Sequence, residues 1–436
     1  MESYRDFVRL FARLKIMIKK IRADQLKVGV YVHDINAKED GEQVFIKRSL
    51  IQTHKAIQII RSWGIEEVYI DTEKGLDIKS KKSALEVQQE IDRGLRTAAL
   101  QSLPPLPTVS LKEELSIARS IKEEAVNTMQ RAMRSVSEGK DVDLGAAYQL
   151  VEKMEKSVTR NRDALLLLTR IRKKDEYTLM HSISVGSLVL AFCNFCGLAY
   201  DTTLNMAMGA LFHDIGKTQI PLGILNKPGK LDPREMAIIK KHTEHSADVL
   251  ANTKDLPYEA FDIALHHHER FDGSGYPHGL KGVDIGFASR IAAICDVFDA
   301  ITSERCYKSG IDRVAGLRLL YEWSESHFDK ELAYKFIGFV GVYPIGTCVR
   351  LENDLVGVVT GSTDKVLQPV VRLFYNNKTR SAMQVREVDL CKAGINVANY
   401  ESPNNWDAGK LEVYRKLKSY LNPVQHLSKL GIDMQL

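Results

Sequence analysis

Apolar residues recur at steps of three and four along much of this 436-residue chain, which is the spacing of one face of a helix. The first such series runs from Tyr4 to Ile21 and predicts an amphipathic helix. Further series predict helices over residues 111–138 and 144–169. The pattern therefore indicates a mainly helical protein.

Shorter apolar runs near the N-terminus predict a small α+β module over residues 1–77. Residues Leu26–Val32 and Val68–Ile70 have the composition of strands. Between them, His54–Trp63 has helical spacing and is followed by Gly64, a residue type that commonly ends helices. The module contains no cluster of catalytic residue types, so a regulatory role is expected.

A linker and a second change of pattern mark the other predicted boundaries. The proline-rich run Leu103–Pro107 follows a polar stretch, so residues 78–149 are predicted to be a linker with connecting helices. Residues 346–436 are predicted to form a small β appendage that closes with a helix over Leu411–Leu421. Its predicted strands cover residues 348–351, 357–359 and 370–374.

The middle segment, residues 150–345, is predicted to be helical throughout. The run Asp232–Glu235 combines an N-cap aspartate, a proline at the first helical position and a glutamate at the third, so it predicts a helix start. That helix is expected to carry His242 and His245. Further helices are predicted over Tyr177–Cys196, Asp201–His213 and Phe287–Glu304.

Composition narrows the class of protein. Apolar residues make up 44% and charged residues 27%, as in an ordinary soluble protein. No run is expected to approach the roughly 18 to 20 apolar residues of a membrane span, and no signal peptide is apparent. Six cysteines without a disulfide pattern favour the cytoplasm, and Cys193 and Cys196 are interpreted as core residues. The net charge of +5 permits an anionic substrate but does not favour a nucleic-acid polymer.

Histidines are concentrated in the middle segment. Eight of the 12 lie between His181 and His278, inclusive. His213 and Asp214 are adjacent, and an imidazole beside a carboxylate suits first-row divalent metals and the bridging of two ions. Two ions a few ångström apart are a common device for hydrolysing phosphate esters. The sequence therefore predicts a metal centre, with a set of core or surface histidines as the alternative.

Several motifs of the middle segment together resemble those of the HD-GYP phosphodiesterases, a subgroup of the HD metal-hydrolase superfamily. The motifs are Tyr177–His181, His213–Lys217, Lys241–Thr243, His267–Glu269, Asp272–Pro277 and Asp296–Ala300. The resemblance covers roughly residues 150–345, and the N-terminal module is similar to a domain of unclear function often found upstream of HD-GYP domains. It implies a mainly α fold in which an all-helical HD-type domain follows the α+β module and precedes the β appendage.

The resemblance also implies a site of metal ligands and substrate contacts. The implied metal ligands are His181, His213, Asp214, His242, His267, His268 and Asp296. Asp214 would bridge the ions, and Lys217 would act at the scissile phosphate, where it neutralises charge or protonates the leaving oxygen. The implied substrate contacts are Lys217, Gly275, Tyr276, Pro277, Arg305 and Lys308. A solvated lysine, a plain connecting turn and ordinary surface charges are the respective alternatives.

Two divalent ions, iron or manganese, are the expected cofactors. Some HD-GYP members have a glutamate four residues before the first histidine that helps to hold a third metal, whereas this chain has Tyr177 there. Asp175 and Glu176 are close in sequence but would point elsewhere on a helix. Two ions are therefore expected, with three as the alternative. His245 and His266 are expected beside the ligands or at the surface rather than as ligands.

The expected function is hydrolysis of cyclic di-GMP to pGpG, which some family members hydrolyse onward to GMP. One alternative substrate is 3',3'-cyclic GMP-AMP, because the two molecules differ in one base only, adenine in place of guanine. A different class of alternative is a non-catalytic receptor or interaction module, but such relatives should lose ligands and this chain retains them. Nucleic-acid cleavage is a weaker alternative, since the chain lacks a basic stripe with interleaved aromatic residues. Besides the cyclic dinucleotide, candidate partners are a diguanylate cyclase, another signalling protein and a second copy of the chain.

Overall fold

The computed structural model describes most of the chain. It covers residues 18–35, 49–62, 67–71, 74–76, 91, 93–98, 107–169, 177–227, 229, 231–253, 255–303, 312–324, 326–363, 365, 367–401, 403 and 406–421. The chain divides into two compact units, residues 1–89 and 90–436. The finer division predicted from the sequence pattern stays a prediction.

The first unit contains a four-stranded antiparallel sheet and a helix. Its strands are β1 (Ile18–Arg22), β2 (Tyr31–Ile35), β3 (Ser49–Leu50) and β4 (Glu67–Asp71), arranged in the order β1-β4-β2-β3. Helix α1 (His54–Ser62) shares an apolar core with the sheet, where Ile57 and Ile70 are buried together. The predicted α+β character of this module is therefore confirmed.

Two predictions for the first unit are wrong in part. The stretch from Ile18 to Ile21 lies in strand β1 and not in a helix, because pairing with β4 and burial of Ile21 outweigh the helical spacing. The rest of that predicted helix lies outside the described residues. The strand predicted to begin at Leu26 begins at Tyr31, since a turn precedes it in which Gly29 has a φ of 95°.

The second unit begins with helices. Up to residue 340, its labelled helices are α2 (Leu111–Ser137), α3 (Leu144–Leu168), α4 (Tyr177–Phe195), α5 (Tyr200–Phe212), α6 (Leu222–Leu225), α7 (Pro233–Lys240), α8 (His242–Ala251), α9 (Tyr258–His266), α10 (Phe287–Thr302), α11 (Arg313–Trp323) and α12 (Lys330–Val340). The predicted helical middle segment is confirmed.

Helices α2 and α3 are long and are joined by an ion pair between the buried Glu114 and the partly exposed Arg160. Ser110 begins α2 in a capping box, in which its hydroxyl accepts from the backbone of Glu113 and the Glu113 carboxylate accepts from the backbone of Ser110. Further along α2, the buried Glu114 accepts hydrogen bonds from Arg160 at 2.7 and 2.8 Å and from Ser157 at 2.6 Å. A buried carboxylate with several partners fixes which faces of the two helices meet.

Helix α4 is apolar on all sides and forms the centre of the main core. The window Thr178–Phe195 is long and apolar enough to cross a membrane, so the expectation that no stretch approaches such a composition is wrong. However, 83% of this window is buried inside the protein, as in a core helix. Cys193 is buried with its sulfur 3.9 Å from that of Met206, which confirms its interpretation as a core residue.

The predicted helix start at Asp232 is confirmed, but the helix is shorter than expected. The Asp232 carboxylate accepts from the backbone of Arg234 and Glu235, and the Glu235 carboxylate accepts in return. Helix α7 ends at Lys240, and His242 begins a separate helix, α8, after a turn. The break places His242 at a helix terminus instead of in a helix interior.

The second unit ends in a five-stranded antiparallel sheet and two further helices. The strands are β5 (Cys348–Leu351), β6 (Leu355–Gly361), β7 (Val370–Asn376), β8 (Ser381–Asp389) and β9 (Val397–Tyr400), and the helices are α13 (Leu390–Ala393) and α14 (Ala408–Leu421). The strand order is β8-β7-β6-β5-β9. One face of the sheet packs with Tyr343, and the other packs with Tyr414 of α14. This confirms the predicted β appendage and its closing helix.

Candidate metal centre

All seven residues implied as metal ligands lie in one cluster inside the helical part of the second unit. His181 lies within α4 and Asp296 within α10. The others occupy helix termini, namely His213 and Asp214 after α5, His242 at the start of α8, and His267 and His268 after α9. Six of the seven are buried, and His268 keeps 27% of its side chain exposed. The cluster is therefore enclosed, with His268 as its most accessible member.

A glycine after α5 allows α8 to approach closely. A Cβ on Gly216 would stand 2.3 Å from the carbonyl oxygen of His242, a distance shorter than any ordinary contact of a Cβ atom. The N–H of Gly216 donates to the hydroxyl of Ser246 at 2.8 Å. Glycine at this position thus permits the backbone contact that carries His242 to Asp214.

The first half-site consists of His181, His213 and Asp296. Their donor atoms all lie within 4.8 Å of one another. His181 Nε2 is 2.9 Å from Asp296 Oδ1, and His213 Nε2 is 4.0 Å from the same oxygen. Two imidazoles and a carboxylate at these separations form a donor set of the kind that holds a first-row divalent ion.

The second half-site consists of His242, His267 and His268. Their donor atoms also lie within 4.8 Å of one another. His242 Nε2 and His267 Nε2 are 3.4 Å apart, while the His268 ring lies 5.0 Å from the His242 ring by centroids. This half-site is made of imidazoles alone.

Asp214 lies between the two half-sites and faces both. Its Oδ2 is 3.4 Å from His213 Nε2 and 4.0 Å from His181 Nε2. Its Oδ1 is 3.3 Å from His242 Nε2 and 3.9 Å from His267 Nε2. Each carboxylate oxygen therefore points to a different half-site.

Backbone carbonyls orient three of the imidazoles. Each of these rings donates from Nδ1 to a carbonyl one turn earlier, and this sets the tautomer so that Nε2 carries a lone pair. The bonds are His213 to Ala210 at 2.7 Å, His242 to Ile239 at 2.7 Å, and His267 to Ile263 at 2.9 Å. All three lone pairs are directed into the cluster.

The cluster fits a metal ion on two observations. In the part of the chain that the structure describes, His213 Nε2 and Asp214 Oδ1 are buried without a hydrogen-bond partner, which is costly for a protein unless another group satisfies them. The lone pairs of His242 and His267 face each other at 3.4 Å, where a cation between them would replace repulsion with two bonds. The donor set is therefore suited to divalent ions.

The charges of the site favour an ionised Asp214 and neutral rings at His242 and His268. Burial opposes ionisation of Asp214, but Lys217 and nearby histidines outweigh it and hold the pKa of this carboxyl well below its ordinary value. Burial lowers the pKa of His242 to about 4 and that of His268 to about 3. These are the protonation states in which both groups bind metal.

Asp299 orients His181, and sequence analysis assigns it no role. Its Oδ2 accepts from His181 Nδ1 at 2.7 Å, and its Oδ1 accepts from Ser184 at 2.6 Å and from Ser303 at 3.3 Å. Burial favours the neutral ring, but the hydrogen bonds to Asp296 and Asp299 outweigh it and raise the pKa of His181 to about 9. The signal that could have revealed this role is position, since Asp299 lies in the same motif as Asp296 and follows it by nearly one helical turn.

Lys217 lies against Asp214. Its Nζ is 2.5 Å from Asp214 Oδ2. The Lys217 side chain keeps 24% of its surface exposed, whereas Asp214 keeps 1%. The lysine therefore connects the buried carboxylate to solvent, where an anionic ligand could reach its ammonium group.

The motif Asp272–Pro277 forms a glycine-rich loop that packs against the second half-site. The Tyr276 ring lies 4.8 Å from the His268 ring by centroids, and Pro277 follows it at the half-buried edge of the loop. A Cβ on Gly275 would stand 2.3 Å from the backbone nitrogen of Arg270, so the close approach of the loop requires glycine. The structure thus brings Gly275, Tyr276 and Pro277 beside the cluster.

Glu269 anchors this loop and is a second residue to which sequence analysis assigns no role. It follows the proposed ligand His268 and is buried, with 3% of its surface exposed. Its carboxylate accepts from the backbone N–H of His278 at 2.7 Å and from that of Leu280 at 3.0 Å. The side chain therefore ties the end of the loop to the ligand pair.

The remaining predicted site residues have different outcomes. Arg305 and Lys308 lie outside the described residues. Tyr177 begins helix α4, while Asp175 and Glu176 are outside the described residues, so the number of ions stays a prediction. His245 is not among the clustered donors, and His266 contacts Asp262 and His278.

Comparison with known proteins places the chain in a family. A family model described as an HD domain matches residues 152–332, and one described as a domain of unknown function (DUF3391) matches residues 18–147. A cyclic di-GMP phosphodiesterase of Pseudomonas aeruginosa is 33% identical over 401 residues, covering 91% of this chain and 95% of the relative. The chain belongs to the HD-GYP phosphodiesterases.

Other HD-GYP relatives match shorter parts of the chain. A cyclic di-GMP phosphodiesterase response regulator of Xanthomonas campestris is 32% identical over 246 residues, covering 55% of this chain and 62% of the relative. A 3'3'-cGAMP-specific phosphodiesterase of Vibrio cholerae is 41% identical over 143 residues, covering 33% of this chain and 27% of the relative. The chain is thus similar to relatives named for two different cyclic dinucleotides.

Proposed function

We propose that this HD-GYP protein hydrolyses cyclic di-GMP to pGpG at the clustered histidines and aspartates. The observation that carries the proposal is the position of Asp214, whose two oxygens face different half-sites. A carboxylate placed in this way suits the bridge of a two-ion phosphodiesterase centre. The relative from Pseudomonas aeruginosa, which matches nearly the whole chain, is named for the same substrate.

The half-sites would each hold one divalent ion. His181, His213 and Asp296 would hold one, and His242, His267 and His268 would hold the other, with Asp214 shared. When bound, such ions supply positive charge at the phosphate and lower the pKa of water. Iron or manganese is proposed because a mixed imidazole and carboxylate donor set suits both metals.

Lys217 and the glycine-rich loop would act on the substrate. The ammonium group of Lys217 is partly exposed beside Asp214, so it is proposed to stabilise charge on the scissile phosphate and the leaving oxygen. Tyr276 lies against His268, the most accessible ligand, and is proposed with Gly275 and Pro277 to border the bound dinucleotide. Arg305 and Lys308 stay proposed substrate contacts on the strength of the family motif.

The alternative substrate is 3',3'-cyclic GMP-AMP. It is favoured by the similarity to the phosphodiesterase of Vibrio cholerae that is named for this molecule. A diguanylate cyclase, another signalling protein or a second copy of the chain as partner, and a location in the cytoplasm, likewise stay predictions.

The test is hydrolysis by protein purified without oxygen and analysed for bound metal. Samples loaded with iron or manganese are incubated with cyclic di-GMP and, separately, with 3',3'-cyclic GMP-AMP, and the products are separated by chromatography. Asp214→Ala should lose both hydrolysis and bound metal, because it removes the shared ligand. His245→Ala is the matched control, since it changes a histidine on helix α8 that is outside the cluster.

Two results would overturn the proposal. One is full activity of Asp214→Ala with a normal metal content. The other is the absence of linear product from cyclic di-GMP in metal-loaded wild-type protein. In that second case, hydrolysis of 3',3'-cyclic GMP-AMP would establish the alternative substrate, and binding without hydrolysis would establish a receptor.

A further inference from the structure

A second pair of imidazoles lies outside the proposed ligand set. His266 Nε2 and His278 Nδ1 are 3.1 Å apart, and the two rings are inclined at 59°. His266 is the last residue of α9, while His278 follows the glycine-rich loop and is exposed. The pair therefore joins a helix that leads into the second half-site to the loop that borders it.

A buried carboxylate fixes the orientation of His266. Asp262, one helical turn earlier, is buried and accepts from His266 Nδ1 at 2.8 Å. The other oxygen of Asp262 accepts from the hydroxyl of Ser289 at 2.8 Å and from its backbone N–H at 3.2 Å. With Nδ1 donating to this held carboxylate, Nε2 carries the lone pair and faces His278.

The spacing of the two nitrogens suits a shared metal ion. Metal–imidazole bonds are about 2.0 to 2.1 Å long, so two neighbouring nitrogens on one ion stand about 2.9 to 3.4 Å apart at octahedral or tetrahedral angles. The observed separation of 3.1 Å falls within this range. Because His278 is exposed, water can supply the remaining ligands.

We propose that His266 and His278 form a peripheral metal site that takes a borderline divalent ion such as Zn²⁺. The ion would link the C-terminal end of α9 to the loop that carries Gly275, Tyr276 and Pro277. The arrangement of a carboxylate, a histidine and a metal recurs in proteins, where the carboxylate sets the tautomer and strengthens the ligand. Without an ion, the same pair is joined by a hydrogen bond from His278 Nδ1 to His266 Nε2.

The variant His278→Asn separates these two states. Its amide can still donate a hydrogen bond to His266 Nε2 from near the position of Nδ1, but it removes one imidazole ligand. Wild type and the variant are dialysed to equilibrium against the same series of free Zn²⁺ concentrations, and bound zinc per chain is measured. Wild type should bind one ion more than His278→Asn at saturation, and the catalytic cluster contributes equally to both.

Two further measurements complete the test. Asp262→Asn should weaken the additional site about 10- to 100-fold, which is the usual effect of losing a carboxylate behind a histidine ligand. Hydrogen exchange of the amides in residues 272–280 should slow on zinc addition more in wild type than in His278→Asn. Equal zinc content of wild type and His278→Asn over the whole series would overturn the proposal, as would an equal effect of zinc on loop exchange. Circular dichroism confirms that the exposed substitution leaves the fold intact.

Discussion

Replacing Asp299 with asparagine should weaken metal binding without removing any proposed ligand. Two serine hydroxyls, from Ser184 and Ser303, donate to Oδ1 of Asp299, so the amide oxygen of asparagine would take that position. The amide NH₂ would then face His181 Nδ1, which at present donates to Oδ2 at 2.7 Å. To accept from the amide, His181 must move its hydrogen to Nε2, and this blocks the nitrogen that faces Asp296.

The size of the effect follows from the role of such carboxylates. Loss of a residue that orients a histidine ligand usually lowers metal affinity by about 10- to 100-fold. At about 1.4 kcal/mol per tenfold change, this is about 1.4 to 2.8 kcal/mol. Only the first half-site should change, because His181 belongs to it and the second half-site has its own backbone carbonyls as partners.

The assay is activity and bound metal measured against buffered free Mn²⁺. Asp299→Asn should need about 10- to 100-fold more metal for half-maximal activity and should recover activity when metal is raised. Asp248→Asn is the matched control, since it makes the same change at an exposed position on α8. A metal dependence of Asp299→Asn within twofold of wild type would refute the reasoning, and so would an inactive variant with full metal content.

Three further predictions follow from the site. Lys217→Ala should lower kcat more than it raises KM, because charge on the phosphate grows along the reaction. Steady-state kinetics checks this in preparations whose metal content is unchanged, and an unchanged kcat would show that the lysine has no catalytic role. Gly275→Ala should destabilise the protein by about 1 to 3 kcal/mol in chemical denaturation, since its Cβ would stand 2.3 Å from a backbone nitrogen. Metal-free protein should melt at a lower temperature at pH 5 than at pH 7. The pKa values of His242 and His268 are lowered to about 4 and about 3 in the native state, whereas histidines of the unfolded chain have ordinary pKa values near 6.5. Between these values the unfolded chain binds protons that the native state does not bind. The contribution of these two histidines to stability is thus present above about pH 6.5 and is lost towards about pH 4. His181, whose pKa is raised to about 9, opposes this trend, but it is one residue against two. A melting temperature that rises on acidification would contradict the prediction.

The helical middle of the chain is predictable because its periodicity is local and strong. The capping signal at Asp232 and the apolar helix from Tyr177 both appear in the sequence as they do in the structure. Strand β1 is different, since Ile18 and Ile21 also fit a helical spacing and only pairing with the distant strand β4 decides between the two structures. Strand β8 is largely exposed and has no strong apolar pattern, so it escapes prediction.

The candidate site divides in a similar way. Its proposed ligands can be named in advance because each belongs to a short motif of residue types with a known chemical use. The partners of those ligands cannot, because Asp299 meets His181 across 118 residues and Ser246 meets Gly216 across 30. Glu269, like Asp299, lies within a motif, yet its hydrogen bonds to the loop depend on how the backbone returns after Pro277. Such contacts are products of tertiary structure.

The two half-sites also differ in the length of chain that each must close. His181 and its partner Asp299 are 118 residues apart, whereas His242 and His267 are 25 residues apart. Loop closure costs about 0.6 kcal/mol more for each doubling in length, so the entropic difference is about 1.3 kcal/mol in favour of the shorter loop. The second half-site is therefore the more local unit of folding, and we expect it to assemble first. The first half-site, which needs α4 and α10 to meet, then completes the centre at a late step of folding.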